Sequence, residues 1–243
     1  MAPTHEHHSV SVRTPAPLAV PRNPEPHGHG LRLRLWDAGS DADVAAWFRG
    51  RADPDFRRWN TPLRIAADLD GARASLRAQL QSAADVSGVP FCVMDAATGA
   101  TLGHVGVNAI DHALRLARVG YWVLPEARGQ RVATRALAVA ARWAFTDLGL
   151  HRLELGHALG HDASCRIAQT CGFPYEGTLR DAMFAAGEHD AFRDMHLHAR
   201  LATDAEPDLD PAGPDLDPAG PDLGPAGTGK GAGVPRTPGA SAS

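Results

Sequence analysis

Residues 31–80 show two periodicities of apolar positions, one typical of a strand and one typical of a helix. The stretch LRLRLW at 31–36 alternates apolar and charged side chains, as a half-buried strand does. Residues 41–50 then predict a short helix that ends at Gly50. A second helix is predicted by four apolar residues at helical spacing, which are Ile65, Leu69, Leu76 and Leu80.

The second half adds further strands and two helices. Apolar stretches separated by turn residues predict three strands, at 89–95, 101–110 and 116–124. A helix at 131–147, a strand at 151–156, a short helix near 162–171 and two strands around Gly187 follow. This order predicts a mixed α/β fold with a central mixed sheet of about six or seven strands, flanked by about four helices.

The two ends of the chain differ from this region in composition. Residues 1–29 are rich in histidine and proline and hold almost no large apolar residues, which predicts a disordered N-terminal arm with incidental metal affinity at His5, His7 and His8. Residues 203–243 contain a repeat, DLDPAGP, whose prolines and glycines predict a disordered acidic tail. One folded domain is therefore expected at 30–202.

Charge and cysteine usage exclude several classes of protein. Residues 30–202 contain 19 acidic and 20 basic residues, so we expect no nucleic-acid partner. The three cysteines form no C-x-x-C pair, which argues against a disulfide framework and against a metal site. No stretch approaches 18 uninterrupted apolar residues, so we expect a cytoplasmic protein with no membrane contact, either a monomer or a homodimer.

The turn between the strand at 116–124 and the helix at 131–147 carries the clearest chemistry. Its sequence, PEARGQR, places arginines and a glycine where a helix begins. The first turn of a helix has unpaired N–H groups and a partial positive charge, so it binds anions. The spacing matches neither a P-loop nor a Rossmann turn. A phosphate-bearing ligand of another kind is expected.

Two motifs resemble the GNAT superfamily of N-acetyltransferases. RGQRVA at 128–133 resembles the R-G-x-G-x-A loop that binds acetyl-CoA, and residues 164–177 match S-x-x-x-A-x-x-x-G-F-x-x-E-G. The resemblance extends over about 31–201, and its order of segments is similar to the Rim-type branch, which acetylates N-termini of ribosomal proteins. It implies a GNAT-like sheet and transfer of an acetyl group from acetyl-CoA, as cosubstrate, to an amine.

The resemblance also implies the contacts to acetyl-CoA. Val123 and Leu124 would hydrogen-bond the pantetheine arm, and the Val123 amide would stabilise the oxyanion. The turn from Gly129 would present amides to the pyrophosphate, at Gln130, Arg131, Val132, Ala133 and Thr134. Three side chains would contact the phosphates, namely Arg128, Arg131 and Arg135. Arg131 stands where the family has glycine, and His161 stands at a pantetheine-contacting position where the family often has asparagine.

Ser164 and the general base complete the predicted catalytic set. The resemblance implies that Ser164 protonates the departing thiolate, although a serine at a helix start also commonly caps the helix. Glu154 and His157 are the base candidates that we favour, ahead of His104, Glu176 and Asp181. Trp59 resembles the family's aromatic residue near the acceptor, and packing onto the core is the alternative for it.

The acceptor is expected to be an α-amine. Neutralising a lysine ammonium at pH 7 requires about 4.6 kcal/mol, whereas an α-amine requires about 1.1 kcal/mol, so the latter suits a chain without an evident strong base. The sequence therefore predicts an N-acetyltransferase acting on a protein N-terminus or a small molecule. A catalytically weak or inactive acyl-CoA-binding module is the main alternative.

Overall fold

The structure is a computed structural model that describes residues 24–209. The predicted arm and tail therefore lie mostly outside the described residues, at 1–23 and 210–243. The strands are β1 (His27–Gly28), β2 (Leu31–Leu35), β3 (Gly88–Asp95), β4 (Thr101–Asp111), β5 (Leu116–Val123), β6 (Arg152–Ala158), β7 (Tyr175–Phe184) and β8 (Phe192–Leu201). The helices are α1 (Asp41–Ala52), α2 (Pro54–Asn60), α3 (Leu69–Ala84), α4 (Val132–Thr146) and α5 (Asp162–Thr170).

One sheet contains all eight strands of the described part, in the order β1-β2-β3-β4-β5-β6-β8-β7. Every neighbouring pair is antiparallel except β5 and β6, which run parallel. The parallel pairing involves only 116–118 of β5 and 152–154 of β6. Beyond these residues the two strands separate, and the gap lies where β5 leads into the turn before α4.

Helices cover both faces of the sheet. The first face packs against α4, whose alanines allow the helix axis to approach the strands closely, around Phe91, Leu137 and Leu153. On the other face α1 and α3 pack around Trp47, Leu76 and other buried side chains. The hydrophobic core therefore lies on both sides of the central strands, as a three-layer α/β arrangement requires.

The predicted fold class is confirmed, with eight strands and five helices in the described residues against the expected six or seven strands and about four helices. The sequence pattern did not predict α2. This helix begins where the Asp53 carboxylate accepts hydrogen bonds from Asp55 N and Phe56 N, and Pro54 occupies its first turn. The predicted second helix begins at Leu69, so Ile65 lies outside it and is exposed. β1 falls inside the stretch assigned to the N-terminal arm.

None of the helices between residues 24 and 209 is both long enough and apolar enough to cross a bilayer.

Candidate active site

The gap between β5 and β6 is bordered by the starts of two helices, α4 and α5. From α5, the Ser164 hydroxyl lies 2.8 Å from the hydroxyl of Tyr121 on β5, so the two groups form a hydrogen bond across the gap. Ser164 itself is buried. This hydrogen bond joins the start of α5 to β5.

The turn before α4 adopts a conformation that glycine favours at two positions. Gly129 has φ of 75° and Arg131 has φ of 55°, both in the left-handed region. Arg131 is the N-cap residue of α4, and its carbonyl accepts from Arg135 N at 3.0 Å. The arginine therefore occupies a position that requires positive φ, which accounts for glycine in the resembling motif.

The first turn of α4 presents backbone amides toward this turn. A helix start leaves the N–H groups of Val132, Ala133 and Thr134 without intrahelical acceptors, and all three residues are buried. Thr134 Oγ1 is also buried, and within the described residues it has no hydrogen-bond partner. A buried orphan hydroxyl beside free amides fits a ligand with phosphate oxygens. These residues are consistent with a CoA pyrophosphate.

Two arginine side chains of this region form contacts that support the turn. The Arg128 guanidinium lies 2.5 Å from the Asp53 carboxylate and 3.0 Å from that of Asp55. It is therefore paired with α2 and supports the turn, and its phosphate contact stays a prediction. Arg135 donates to the carbonyls of Gln130, at 3.0 Å, and His29, at 2.9 Å, so it also supports the turn.

Val123 and Leu124 differ in what their backbone can offer. Leu124 N–H donates to Leu102 O, and its carbonyl accepts from Ala127 N, each at 2.9 Å. Both backbone groups of Leu124 thus already form hydrogen bonds within the protein. Because successive residues on a strand direct their backbone groups to opposite sides, Val123 faces the gap toward β6. Val123 is therefore better placed than Leu124 to form a backbone hydrogen bond with a ligand in the gap.

Ser164 is not the helix cap. The N-cap of α5 is His161, and α5 begins at Asp162, so Ser164 is the third residue of the helix. Its hydroxyl pairs with Tyr121 instead. The capping alternative is therefore wrong, and the serine is held in place by a phenol from the opposite strand.

The His161 imidazole stacks on the Trp59 indole, with ring centroids 4.3 Å apart and planes 3° from parallel. Burial, with smaller contributions from nearby positive charges, lowers the pKa of His161 to about 4, so the ring is neutral at pH 7. Two arginines also contact the indole, with Arg58 at 4.9 Å and Arg193 at 5.6 Å from its centre. Trp59 therefore links α2 to α5 and β8.

The carboxylates of Glu154 and Glu176, which were predicted as bases, form ion pairs with arginines. Glu154 lies 3.1 Å from Arg152 and 3.8 Å from Arg118. Glu176 is also paired with Arg152, and this hydrogen bond lowers the pKa of Glu176 below its usual value. Glu154 and His157 are three residues apart on β6, an odd number, so their side chains point to opposite faces of the sheet. The structure does not bring these two candidates together.

The histidines predicted as bases are both buried. His104 accepts from the Trp36 indole at 3.1 Å, and burial lowers its pKa to about 3, which makes it a poor base. His157 lies 3.2 Å from His198, and burial lowers the pKa of both. Neither imidazole is a proton acceptor open to solvent. The structure therefore assigns no strong base among the predicted candidates, and Asp181 is exposed on β7.

Sequence reasoning missed several residues of this region. Tyr121 was not singled out because an aromatic in a strand usually signals packing. Asp53 and Asp55 lie 75 and 73 residues from Arg128, so no local pattern links them to the turn. The alternating histidines at 196 and 198 were the one available signal, since positions two apart on a strand share a face.

Comparison with known proteins gives a family and several relatives. The acetyltransferase (GNAT) domain matches residues 31–174. The ribosomal-protein-serine acetyltransferase of Escherichia coli (strain K12) is 28% identical over 100 residues, covering 41% of this chain and 54% of that protein. The spermidine N(1)-acetyltransferase of the same strain is 32% identical over 91 residues, covering 37% and 49%. The chain thus spans about half the length of the curated relatives it matches.

Solved structures share the fold over a longer stretch. RimJ of Mycobacterium smegmatis, in complex with CoA-disulfide, is similar with a TM-score of 0.65 and 25% identity. That likeness covers 74% of this chain and 87% of the other.

Proposed function

Because the chain belongs to the acetyltransferase (GNAT) domain family, we propose that it transfers an acetyl group from acetyl-CoA to a primary amine. The amine attacks the thioester carbonyl directly, the C–S bond breaks, and the CoA thiolate leaves. The amine loses one proton and the thiolate gains one, so the transfer is balanced without a metal or redox step.

The start of α4 is the observation that carries this proposal. The amides of Val132, Ala133 and Thr134 and the buried orphan hydroxyl of Thr134 offer a concentrated set of donors. A pyrophosphate matches them in charge and direction, since the positive end of the helix dipole adds to the hydrogen bonds. The ion pairs of Arg128 with Asp53 and Asp55 support the turn that leads into these amides.

The gap between β5 and β6 supplies the groups for the chemistry. A thioester lying in the gap meets the Val123 N–H, which stabilises the negative oxygen of the tetrahedral intermediate. Ser164, held by Tyr121 at 2.8 Å, supplies a proton to the departing thiolate. Tyr121 then returns a proton to the serine through the same hydrogen bond and regains one from solvent, which also takes up the proton that the amine loses.

The acceptor that we propose is the α-amine of a peptide N-terminus. The predicted base candidates are paired or buried, which suits an amine that is partly neutral at pH 7. Arg58 and Arg193 surround Trp59, which we place on the acceptor side. Their positive charge disfavours a polyamine, although a spermidine acetyltransferase is among the relatives.

A matched pair of glycine variants tests the cofactor site. Gly129→Ala should weaken acetyl-CoA binding at least tenfold, because φ of 75° is strained for alanine and the turn must rearrange. Gly99→Ala is the control, since Gly99 has φ of 73° with open space around it, in the turn between β3 and β4. Calorimetry should show near-normal binding for the control. Equal affinities for both variants and the unmodified chain would refute the assignment.

The left-handed Arg131 favours a second candidate function, an acyl-CoA-binding module that turns over slowly or not at all. An arginine in place of glycine narrows the approach to the turn and strains it. A thiol-release assay with acetyl-CoA and a panel of peptides, amino acids and polyamines separates the two. Thiol release that depends on an amine supports transfer, whereas tight binding without release supports the binding module.

A further inference from the structure

Four side chains outside the proposed acetyl-CoA turn converge on one point between β6, β8 and α5. They are His157, Cys165, His196 and His198, and each directs one ring nitrogen or its sulfur toward the others. All four of these atoms lie within 4.8 Å of one another. His157 and His198 are buried, while Cys165 and His196 are half-buried.

The strand register explains why the histidines meet. His196 and His198 are two residues apart on β8, so they share one face of the sheet. His157 lies directly opposite His196 in the antiparallel pairing of β6 with β8. Cys165 reaches the same point from α5, which packs on this face. Three separate elements therefore supply the cluster.

Hydrogen bonds to the backbone fix the tautomers of two of the rings. His157 Nδ1 lies 3.0 Å from Ala158 O, and His198 Nδ1 lies 3.0 Å from Phe173 O. A carbonyl oxygen only accepts, so each Nδ1 carries a proton and donates it. In each neutral ring Nε2 then holds a lone pair, and the two Nε2 atoms are 3.2 Å apart.

Two lone pairs at this distance repel each other unless a positive centre is shared between them. A metal ion bound by both Nε2 atoms is such a centre, and the cluster supplies a third imidazole and a thiol as further ligands. Metal-bound histidines characteristically donate their second ring N–H to a backbone carbonyl or carboxylate, as both of these rings do.

Two of the separations among the four ligand atoms agree with a tetrahedral zinc site, and all of the separations are 4.8 Å or less. Zinc bonds of about 2.0–2.1 Å to nitrogen and about 2.3 Å to sulfur give tetrahedral edges of about 3.3 Å between two nitrogens and about 3.6 Å between nitrogen and sulfur. The observed separations are 3.2 Å between His157 Nε2 and His198 Nε2, and 3.5 Å between Cys165 Sγ and His198 Nε2. His196 Nδ1 is buried and has no hydrogen-bond partner within residues 24–209.

We propose that His157, Cys165, His196 and His198 bind one Zn²⁺ ion as a closed, four-ligand structural site. Binding forms three Zn–N bonds and one Zn–S bond, and the Cys165 thiol releases its proton to solvent. The ion ties α5 to β6 and β8, next to Ser164. This proposal departs from the expectation of no metal, which rested on cysteine spacing alone, and it does not depend on acetyl transfer.

Cobalt substitution in the full-length chain tests the site. After removal of metals by a chelator, Co²⁺ should bind with one ion per chain giving a thiolate-to-cobalt charge-transfer band and intense tetrahedral visible bands. The charge-transfer band should disappear in Cys165→Ser, and the visible bands should weaken in His196→Ala. His151→Ala, an exposed histidine elsewhere, is the control and should retain both.

Histidines at the N-terminus do not confuse this result, since His5, His7 and His8 remain in every variant and cannot produce a thiolate band. Cys92 and Cys171 are buried and are not members of the cluster. Absence of any charge-transfer band in the unmodified chain, or a band that persists unchanged in Cys165→Ser, would overturn the proposal.

Alkylation followed by mass spectrometry gives an independent readout. Zn²⁺ should slow the modification of Cys165 by iodoacetamide at least tenfold, because the bound sulfur is no longer a free nucleophile. The same addition should raise the melting temperature of the unmodified chain and of His151→Ala, but not that of Cys165→Ser. Equal alkylation rates with and without Zn²⁺ would also overturn the proposal.

Discussion

Replacing Arg131 by alanine and by glycine separates its backbone strain from its charge. Arg131 has φ of 55° and ψ of 27°, which disfavours any residue with a Cβ atom. Arg131→Ala keeps this strain and removes the guanidinium. Arg131→Gly removes both, so the difference between the two variants isolates the backbone.

The expected magnitude follows from the conformation. The left-handed region costs about 1–2 kcal/mol for a residue other than glycine. Glycine loses more chain entropy on folding, which offsets about 0.4–1 kcal/mol of that gain. The glycine variant should therefore be more stable than the alanine variant by about 0.5–1 kcal/mol. For a domain of this size the melting temperature should differ by about 1–4 °C.

Thermal unfolding and acetyl-CoA calorimetry on the same preparations provide the assay. Because the guanidinium lies at the turn, both variants should bind acetyl-CoA more weakly than the unmodified chain at low salt, and the deficit should narrow as salt screens the charge. A glycine variant less stable than the alanine variant would refute the strain argument. Tighter binding by both variants at every ionic strength would show that the arginine obstructs the site.

Three further predictions follow from other contacts. Ser164→Ala should lower kcat by about 10- to 100-fold with little change in KM for acetyl-CoA, and Tyr121→Phe should lower kcat less; unchanged turnover in Ser164→Ala would remove it from the mechanism. Burial lowers the pKa of His104 from 6.5 to about 3, so this histidine binds a proton more readily in the unfolded chain. The folded state therefore loses stability relative to the unfolded state as the pH falls below 6.5. Between pH 7 and 5, His104→Gln should lose about 2 kcal/mol less than the unmodified chain in urea titrations, and equal losses would contradict this. Gly50→Ala should destabilise by about 1–3 kcal/mol, because its Cβ would lie within 2.6 Å of three ring atoms of Trp122, and an unchanged urea midpoint would show that the ring can move.

The fold was predictable where local pattern and tertiary packing agree. The alanine-rich stretch of α4 carries a helical apolar stripe, and the short alternating stretch of β2 carries a strand pattern, so both elements appear near their predicted bounds. In contrast, α2 has seven residues, which is too short for a periodic signal, and Pro54 with its Asp53 cap was the only cue.

For the candidate site, the local sequence predicted the course of the backbone but not the partners of the side chains. The turn and the start of α4 follow from local sequence, and the turn has positive φ at Gly129 and Arg131. Side-chain partners depend on contacts between distant segments, as with Arg128 and Asp53. The cluster around His198 likewise required the register of β6 against β8. The sequence of either strand alone does not contain that register.

The most direct test of the proposed function uses two matched peptides with acetyl-CoA. One has a free N-terminus and no lysine, and the other has the same sequence with a blocked N-terminus and one lysine. We predict that the first peptide gains one acetyl group by mass spectrometry, with one CoA thiol released per acetyl transferred, and that the second reacts far more slowly. Acetyl-CoA binding with no thiol release above the protein-free rate for either peptide would contradict an acetyltransferase acting on peptide α-amines.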